Sequence, residues 1–160
     1  MFNIIQKLSN KLEKSLFRTT SYKSNQDESA EFWHDYCLAG KASAPTGRLA
    51  ALAQHRNPII RQRVAENVYI PGYVQRLLVN DEDTNVRITL TTNRSVLVEI
   101  WKQLAEDESE LVRFSLARNK DMPVPLLFNL ARDKQTNVAG QAQQTIEEIF
   151  GAVRLRAFAA

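Results

Sequence analysis

His34 and Cys37 stand three residues apart with Asp35 between them, so that one helical turn would bring an imidazole beside a thiol. Such a pair can form a nucleophilic thiolate. The neighbours Trp33 and Tyr36 give the competing reading, a cysteine packed against aromatic rings. The second constellation is a row of arginines, Arg61, Arg87 and Arg113, spaced 26 residues apart. A row of guanidiniums can bind phosphates, or it can form bidentate bonds with the aspartates of a parallel row, Asp81, Asp107 and Asp133. The second use is expected, because framework residues recur in every repeat whereas binding residues vary. The chain has no glycine-rich phosphate loop, no His-Glu-x-x-His and no Gly-x-Ser-x-Gly. One cysteine in 160 residues excludes an internal disulfide and any multi-cysteine zinc or iron–sulfur site. The expectation is a non-enzyme with no cofactor and no metal.

The elements that carry these rows repeat at the same step of 26. Leu52, Leu78, Leu104 and Leu130 form one row, Asn67, Asn93 and Asn119 another, and Pro45, Pro71 and Pro123 a third, interrupted by Leu97. His55 takes the first place of the aspartate row and is expected in solvent. Each unit divides into two short helices. The first opens at the proline row, where a missing N–H costs nothing. Its apolar residues fall at helical spacing, as in Val74, Leu77 and Leu78, or Leu97, Ile100, Trp101 and Leu104. The second begins after Asn57, Asp83, Ser109 and Gln135, of which the first three are good N-caps. It buries Ile60 and Val64, Val86 and Leu90, Val112 and Leu116, Val138 and Ala142. The asparagine row lies where these helices end, and asparagine tolerates a left-handed C-cap. Helices this short cannot bury their apolar stripes alone. The reading is therefore an all-α, right-handed α-solenoid of four two-helix repeats over 45–145. A cap over 26–44 carries Phe32, Trp33 and Tyr36, and a C-terminal capping helix runs to about residue 155 through Ile146, Ile149, Phe150 and Val153.

Ile60-Arg61 with Val64-Ala65-Glu66-Asn67, Val112-Arg113 with Leu116-Ala117-Arg118-Asn119, and the endings Leu104-Ala105-Glu106-Asp107 and Leu130-Ala131-Arg132-Asp133 carry a family resemblance. The chain resembles the leucine-rich repeat variant proteins of the HEAT and armadillo superfamily over roughly 100 residues, the reach of the repeat itself. The resemblance implies a solenoid that presents a surface to a partner. It departs from the pattern at Ala139, where arginine is expected, and the lone Cys37 cannot build the iron–sulfur cluster that some members carry.

With Ile60 and Val64 inward, positions 59, 62, 63 and 66 of the second helix face outward. Down the repeats these rows read Ile59, Asn85, Leu111; Gln62, Ile88, Phe114; Arg63, Thr89, Ser115; and Glu66, Thr92, Arg118. Ile59, Ile88, Leu111 and Phe114, rimmed by Arg63 and Arg118, are the candidate protein-binding strip. A different helix phase would pack the same side chains between repeats.

The formal net charge of +3 is not spread over the chain. Residues 1–25 hold five basic groups against one acidic, whereas residues 26–160 hold 16 against 17. The body thus offers no general attraction for a phosphate backbone, which makes nucleic acid an unfavoured partner. Residues 2–18 read as an amphipathic helix, with Ile4, Ile5, Leu8, Leu12 and Leu16 on one side and Lys7, Lys11, Lys14 and Arg18 on the other. It can lie on an anionic membrane, cover the solenoid or pair with another copy. A polar linker over 19–26 sets residues 1–25 apart from the body. No apolar run is long enough to span a bilayer. The expected function is a non-catalytic protein-binding module in the cytoplasm. A peripheral membrane adaptor and a nucleic-acid-binding protein are the alternatives.

Overall fold

Proline and asparagine punctuate the chain where its helices begin and end. The computed structural model describes residues 29–158, with side chains described to residue 151. The amphipathic segment 2–18 and the linker 19–26 lie outside the described residues. The chain divides into two compact units, residues 1–37 and 38–160. In the first, the described residues are helical, and the helix they begin (α1) covers 29–39. Within that unit Phe32 stacks on Tyr36 at 6.0 Å between ring centres, and Trp33 meets both rings edge-on.

The second unit is all-helical among its described residues. First helices are α2 (Thr46–Leu52), α4 (Gly72–Leu78), α6 (Val98–Ala105) and α8 (Val124–Leu130). Second helices are α3 (Pro58–Glu66), α5 (Thr84–Thr92), α7 (Glu110–Ala117) and α9 (Thr136–Phe158). Each first helix opens at Pro45, Pro71, Leu97 or Pro123, whose carbonyl accepts the first helical N–H bonds. Asn57 and Asp83 cap their helices by accepting from Ile59 N–H and Asn85 N–H. Ser109 departs from the expectation: its hydroxyl makes no capping bond to α7.

Second helices pack in a row, α3 on α5, α5 on α7 and α7 on α9, and each first helix packs on the second helix of its own pair. This packing is consistent with a helical repeat. Ile60, Val64, Val86, Leu90, Val112, Leu116, Val138 and Ala142 are fully buried, and the four leucines of the Leu52 row close the core from the first helices. At about 25 cal/mol per Å² of apolar surface, the valine, leucine and isoleucine side chains among them supply roughly 1.5–3 kcal/mol each. Leu77 is a correction, being 44% exposed where its spacing placed it with the core. The helix α9 runs through the position at which its predecessors stop. Thr145 stands there in place of asparagine, buried, with its hydroxyl bonded to the Gln141 carbonyl of its own helix.

Candidate functional site

Two ladders of polar side chains join successive helix pairs. On the edge formed by the turns within each pair, Arg61, Arg87 and Arg113 emerge from the second helices and are buried. Each guanidinium reaches forward 20 residues to grip both oxygens of one carboxylate: Arg61 with Asp81 at 2.7 and 2.8 Å, Arg87 with Asp107 at 2.8 and 3.1 Å, Arg113 with Asp133 at 2.7 and 3.1 Å. The remaining nitrogen donates to a carbonyl six residues earlier, in the turn of its own pair. Each aspartate also accepts a backbone N–H two residues ahead, at Asp83, Ser109 and Gln135. The donors and acceptors of the rung are thereby used within the fold. Hydrogen bonding to the carboxylates raises all three arginines further above their ordinary range, against the opposing effect of burial. The Arg113 guanidinium, aided by Gln135 N–H, holds the Asp133 carboxyl below the usual carboxylate range.

His55, expected in solvent, is half-buried, and its Nδ1 takes over the aspartate's local duty by accepting Asn57 N–H at 3.0 Å. That bond requires Nδ1 to carry no proton.

The asparagine ladder corrects a sequence expectation. Asn67 and Asn93 have φ of −72° and −78°, and no described non-glycine residue has a positive φ, so these are not left-handed caps. Their side chains do the work instead. Asn67 Nδ2 donates to the carbonyls of Ala39 and Lys41, and Asn93 Nδ2 to those of Ala65 and Asn67. Asn119 Nδ2 repeats the move on Thr91. Each Oδ1 meanwhile accepts a backbone N–H two residues ahead, at Tyr69, Ser95 and Asp121. One short side chain both turns the chain and reaches back 28 residues.

A third tie is local to one place. Buried Gln75 donates to the carbonyls of Ile70 and Ser95, and its Oε1 accepts Leu97 N–H at 2.9 Å. Leu97 stands where the other first helices have proline, so it alone has an N–H to satisfy there. Trp101, in the same row of the next pair, is buried with an indole N–H that has no partner among the described residues.

The candidate binding strip is divided by the structure. Ile59 and Leu111 are 50% and 63% exposed, whereas Ile88 and Phe114 are half-buried. Arg118 is exposed; Arg63 is half-buried, bonds Glu66 at 2.6 Å and lies so close over Gly40 that a β-carbon there would meet its guanidinium. Thr89, from the row flanking that strip, is buried and bonds the Asn85 carbonyl. The strip is thus two exposed apolar points with Asn85 between them.

The outer face of the first helices escaped the sequence reading. Tyr73 and Leu77 on α4, Val98 on α6 and Phe128 on α8 are 44–50% exposed. The signal was present: Phe128 shares its row with Arg76 and Lys102, and charged residues mark that row as outward.

Among the described residues no three His, Cys, Asp or Glu side chains are placed to hold a metal ion. His34 Nδ1 is bonded to Asp35 at 3.2 Å, and Cys37 is exposed. A groove of about 440 Å³ on the ladder edge is lined by Asp81, Glu82, Glu106, Asp107 and Glu108. Asp81 and Asp107 are committed to Arg61 and Arg87, which Glu82 and Glu108 also approach at 3.3 and 3.8 Å. Among the described residues no helix is long and apolar enough to cross a membrane.

No protein-family model matches the chain, and neither the curated proteins nor the solved structures contain a match to it.

Proposed function

We propose that the chain is a non-catalytic protein-binding module: a right-handed α-solenoid of four 26-residue repeats over 45–145, a divergent relative of the leucine-rich repeat variant proteins, acting in the cytoplasm. The observation that carries this reading is the fate of the polar side chains. Those that recur, Arg61, Arg87, Arg113 and the asparagines, have their donors and acceptors taken up inside the fold. The residues left outward vary from one helix pair to the next, as a surface that recognises one partner requires. On the second helices the contact residues are the exposed Ile59, Leu111 and Arg118, together with the half-buried Ile88, Phe114 and Arg63. A stiff surface of this kind binds without a large ordering cost.

The test is capture by the full chain and by an Ile59→Asp/Leu111→Asp variant of equal thermal stability. The expected result is one discrete protein retained by the wild type and lost from the variant. Retention by both forms moves the contact to another face. Capture of nuclease-sensitive nucleic acid, or binding to anionic vesicles in place of any protein, would overturn the reading.

A further inference from the structure

We infer that the outer face of α4, α6 and α8 is a second docking surface, fitted to an acidic amphipathic segment of a protein partner. It is distinct from the second-helix face and stands on its own observations. Tyr73 and Leu77 lie one helical turn apart on α4, Val98 stands at the start of α6, and Phe128 projects from α8. These helices are neighbours. Gln75 of α4 holds the carbonyl of Ser95 and the N–H of Leu97 just ahead of α6, Gln103 donates to Asn80 at 2.7 Å, and α6 packs on α8. Leu97 seals the seam by lying against Gly72, where a β-carbon would come within 2.7 Å of its side chain.

The charges on this face choose the occupant. Arg76 and Lys102 share one row of consecutive helices, both exposed, and neither forms an ion pair among the described residues. Glu99 is the one acidic side chain on the three helices, against those two cations. Between α6 and α8 a groove of about 440 Å³ is walled by Ala105, Leu126 and Leu130, with Lys102, Glu106, Asn129 and the Arg113-bound Asp133 as its polar lining. An apolar side chain entering it brings its neighbouring carboxylates to Lys102, with Arg76 set to take others. Glu106 at this groove, and Glu82 and Glu108 on the adjoining ladder edge, disfavour carboxylates close to them, so those of the partner must lie on the side of Lys102 and Arg76. Apolar anchors at i, i+3, i+4 and i+7 on a helix are the usual match for such a face. Exposed apolar side chains grouped within a polar rim mark an interaction site.

The experiment titrates the full chain with a labelled peptide of about 18 residues carrying leucine at those four spacings, glutamate at four flanking positions and alanine elsewhere, long enough and alanine-rich enough to hold some helix alone. The control replaces every glutamate by lysine. Expected are saturable binding of the acidic peptide, at least roughly tenfold weaker binding of the basic one, and a similar loss for Arg76→Glu/Lys102→Glu. A Leu77→Ser/Val98→Ser variant, altered only at exposed positions, must weaken binding as well. The Ile59→Asp/Leu111→Asp variant must bind the acidic peptide as the wild type does, which separates this surface from the second-helix face. No binding, equal binding of both peptides, or binding untouched by the charge reversal overturns the inference. So does sedimentation showing that a second copy covers this face, or binding of anionic vesicles that Arg76→Glu/Lys102→Glu abolishes.

Discussion

The two edges of the helix array solve one problem with different chemistry. On the edge of the turns within each pair, a charged arm reaches forward: Arg87 crosses to Asp107 of the next pair. On the opposite edge, a neutral arm reaches back: Asn93 crosses to the carbonyls of Ala65 and Asn67 in the previous one. Both use backbone carbonyls that the short helices leave unpaired at their ends. They differ in what failure leaves behind. A broken asparagine rung leaves neutral carbonyls without donors, whereas a broken arginine rung leaves a carboxylate without a counter-charge in a site where both side chains are less than a tenth exposed. The charged edge is therefore the brittle one, although an intact buried pair need not stabilise more than a well-packed apolar one.

The sharpest way to break this contrast is to remove one side of a rung. Arg87→Met is expected to cost about 3–5 kcal/mol, most of it the penalty of the stranded Asp107. Adding Asp107→Asn should recover a large part, because the amide oxygen can still accept Ser109 N–H while the charge is gone. Urea unfolding of the two single variants and the double variant measures the coupling. Strict additivity would mean that the pair carries no special energy.

Acid tests the same edge without mutation. Because Asp133 titrates below an unfolded aspartate, its contribution is fully present above the ordinary carboxylate pKa of about 3.9 and is lost as pH falls through its lower folded value. The urea midpoint should therefore hold on descending to about pH 5 and fall below about pH 4. In Arg113→Met that acid-induced fall should be shallower. The raised arginines act with the opposite sign, since their contribution would be lost only above their already extreme range.

On the neutral edge the expected losses are smaller. Asn93→Ala removes two donated bonds and the acceptor for Ser95 N–H, for about 2 kcal/mol, within the usual cost of leaving buried groups unsatisfied. Asn119→Ala removes one donated bond and the acceptor for Asp121 N–H, and should cost less. An equal or larger effect at Asn119 would show that the turn, not the reach to the neighbour, is what the asparagine supplies.

What could be read from the sequence was what the chain repeats locally. Proline positions mark the first helices, Asn57 and Asp83 mark the second, and the i, i+4 pairs of α3, α5 and α7 are the buried ones. The aspartate row was visible as a second row at the step of the arginines. The asparagines were harder. Their local surroundings suggest a cap, and the carbonyls they bind lie 26 and 28 residues away, where no local preference points. Leu77 and Thr89 were misplaced for another reason. Helices of seven and nine residues, as α4 and α5 are, make only about two turns, so neighbouring positions at the edge of the stripe are decided by the packing angle rather than by the period. The candidate strip suffered from the same imprecision, which is why Ile59 and Leu111 are exposed while Ile88 and Phe114 are half-buried.

The smallest effect tests the finest reading, that Gln75 and Leu97 replace a leucine and a proline together. Leu49 and Leu127 occupy Gln75's row, and the other first helices begin after proline. A proline needs no acceptor, but Leu97 has an N–H, and Gln75 supplies the oxygen. Gln75→Leu alone should cost about 1–2 kcal/mol by stranding that N–H and the carbonyl of Ser95. Leu97→Pro fits the backbone as it stands, because φ there is already −65°. Alone it leaves Gln75 Oε1 without its donor and should be mildly destabilising. Made together, the two changes should be less harmful than either loss predicts by addition, with a favourable coupling of about 1 kcal/mol measurable by a double-mutant cycle. Zero coupling would mean that the glutamine is held for its bonds to the Ile70 and Ser95 carbonyls and that its contact with Leu97 N–H follows from them.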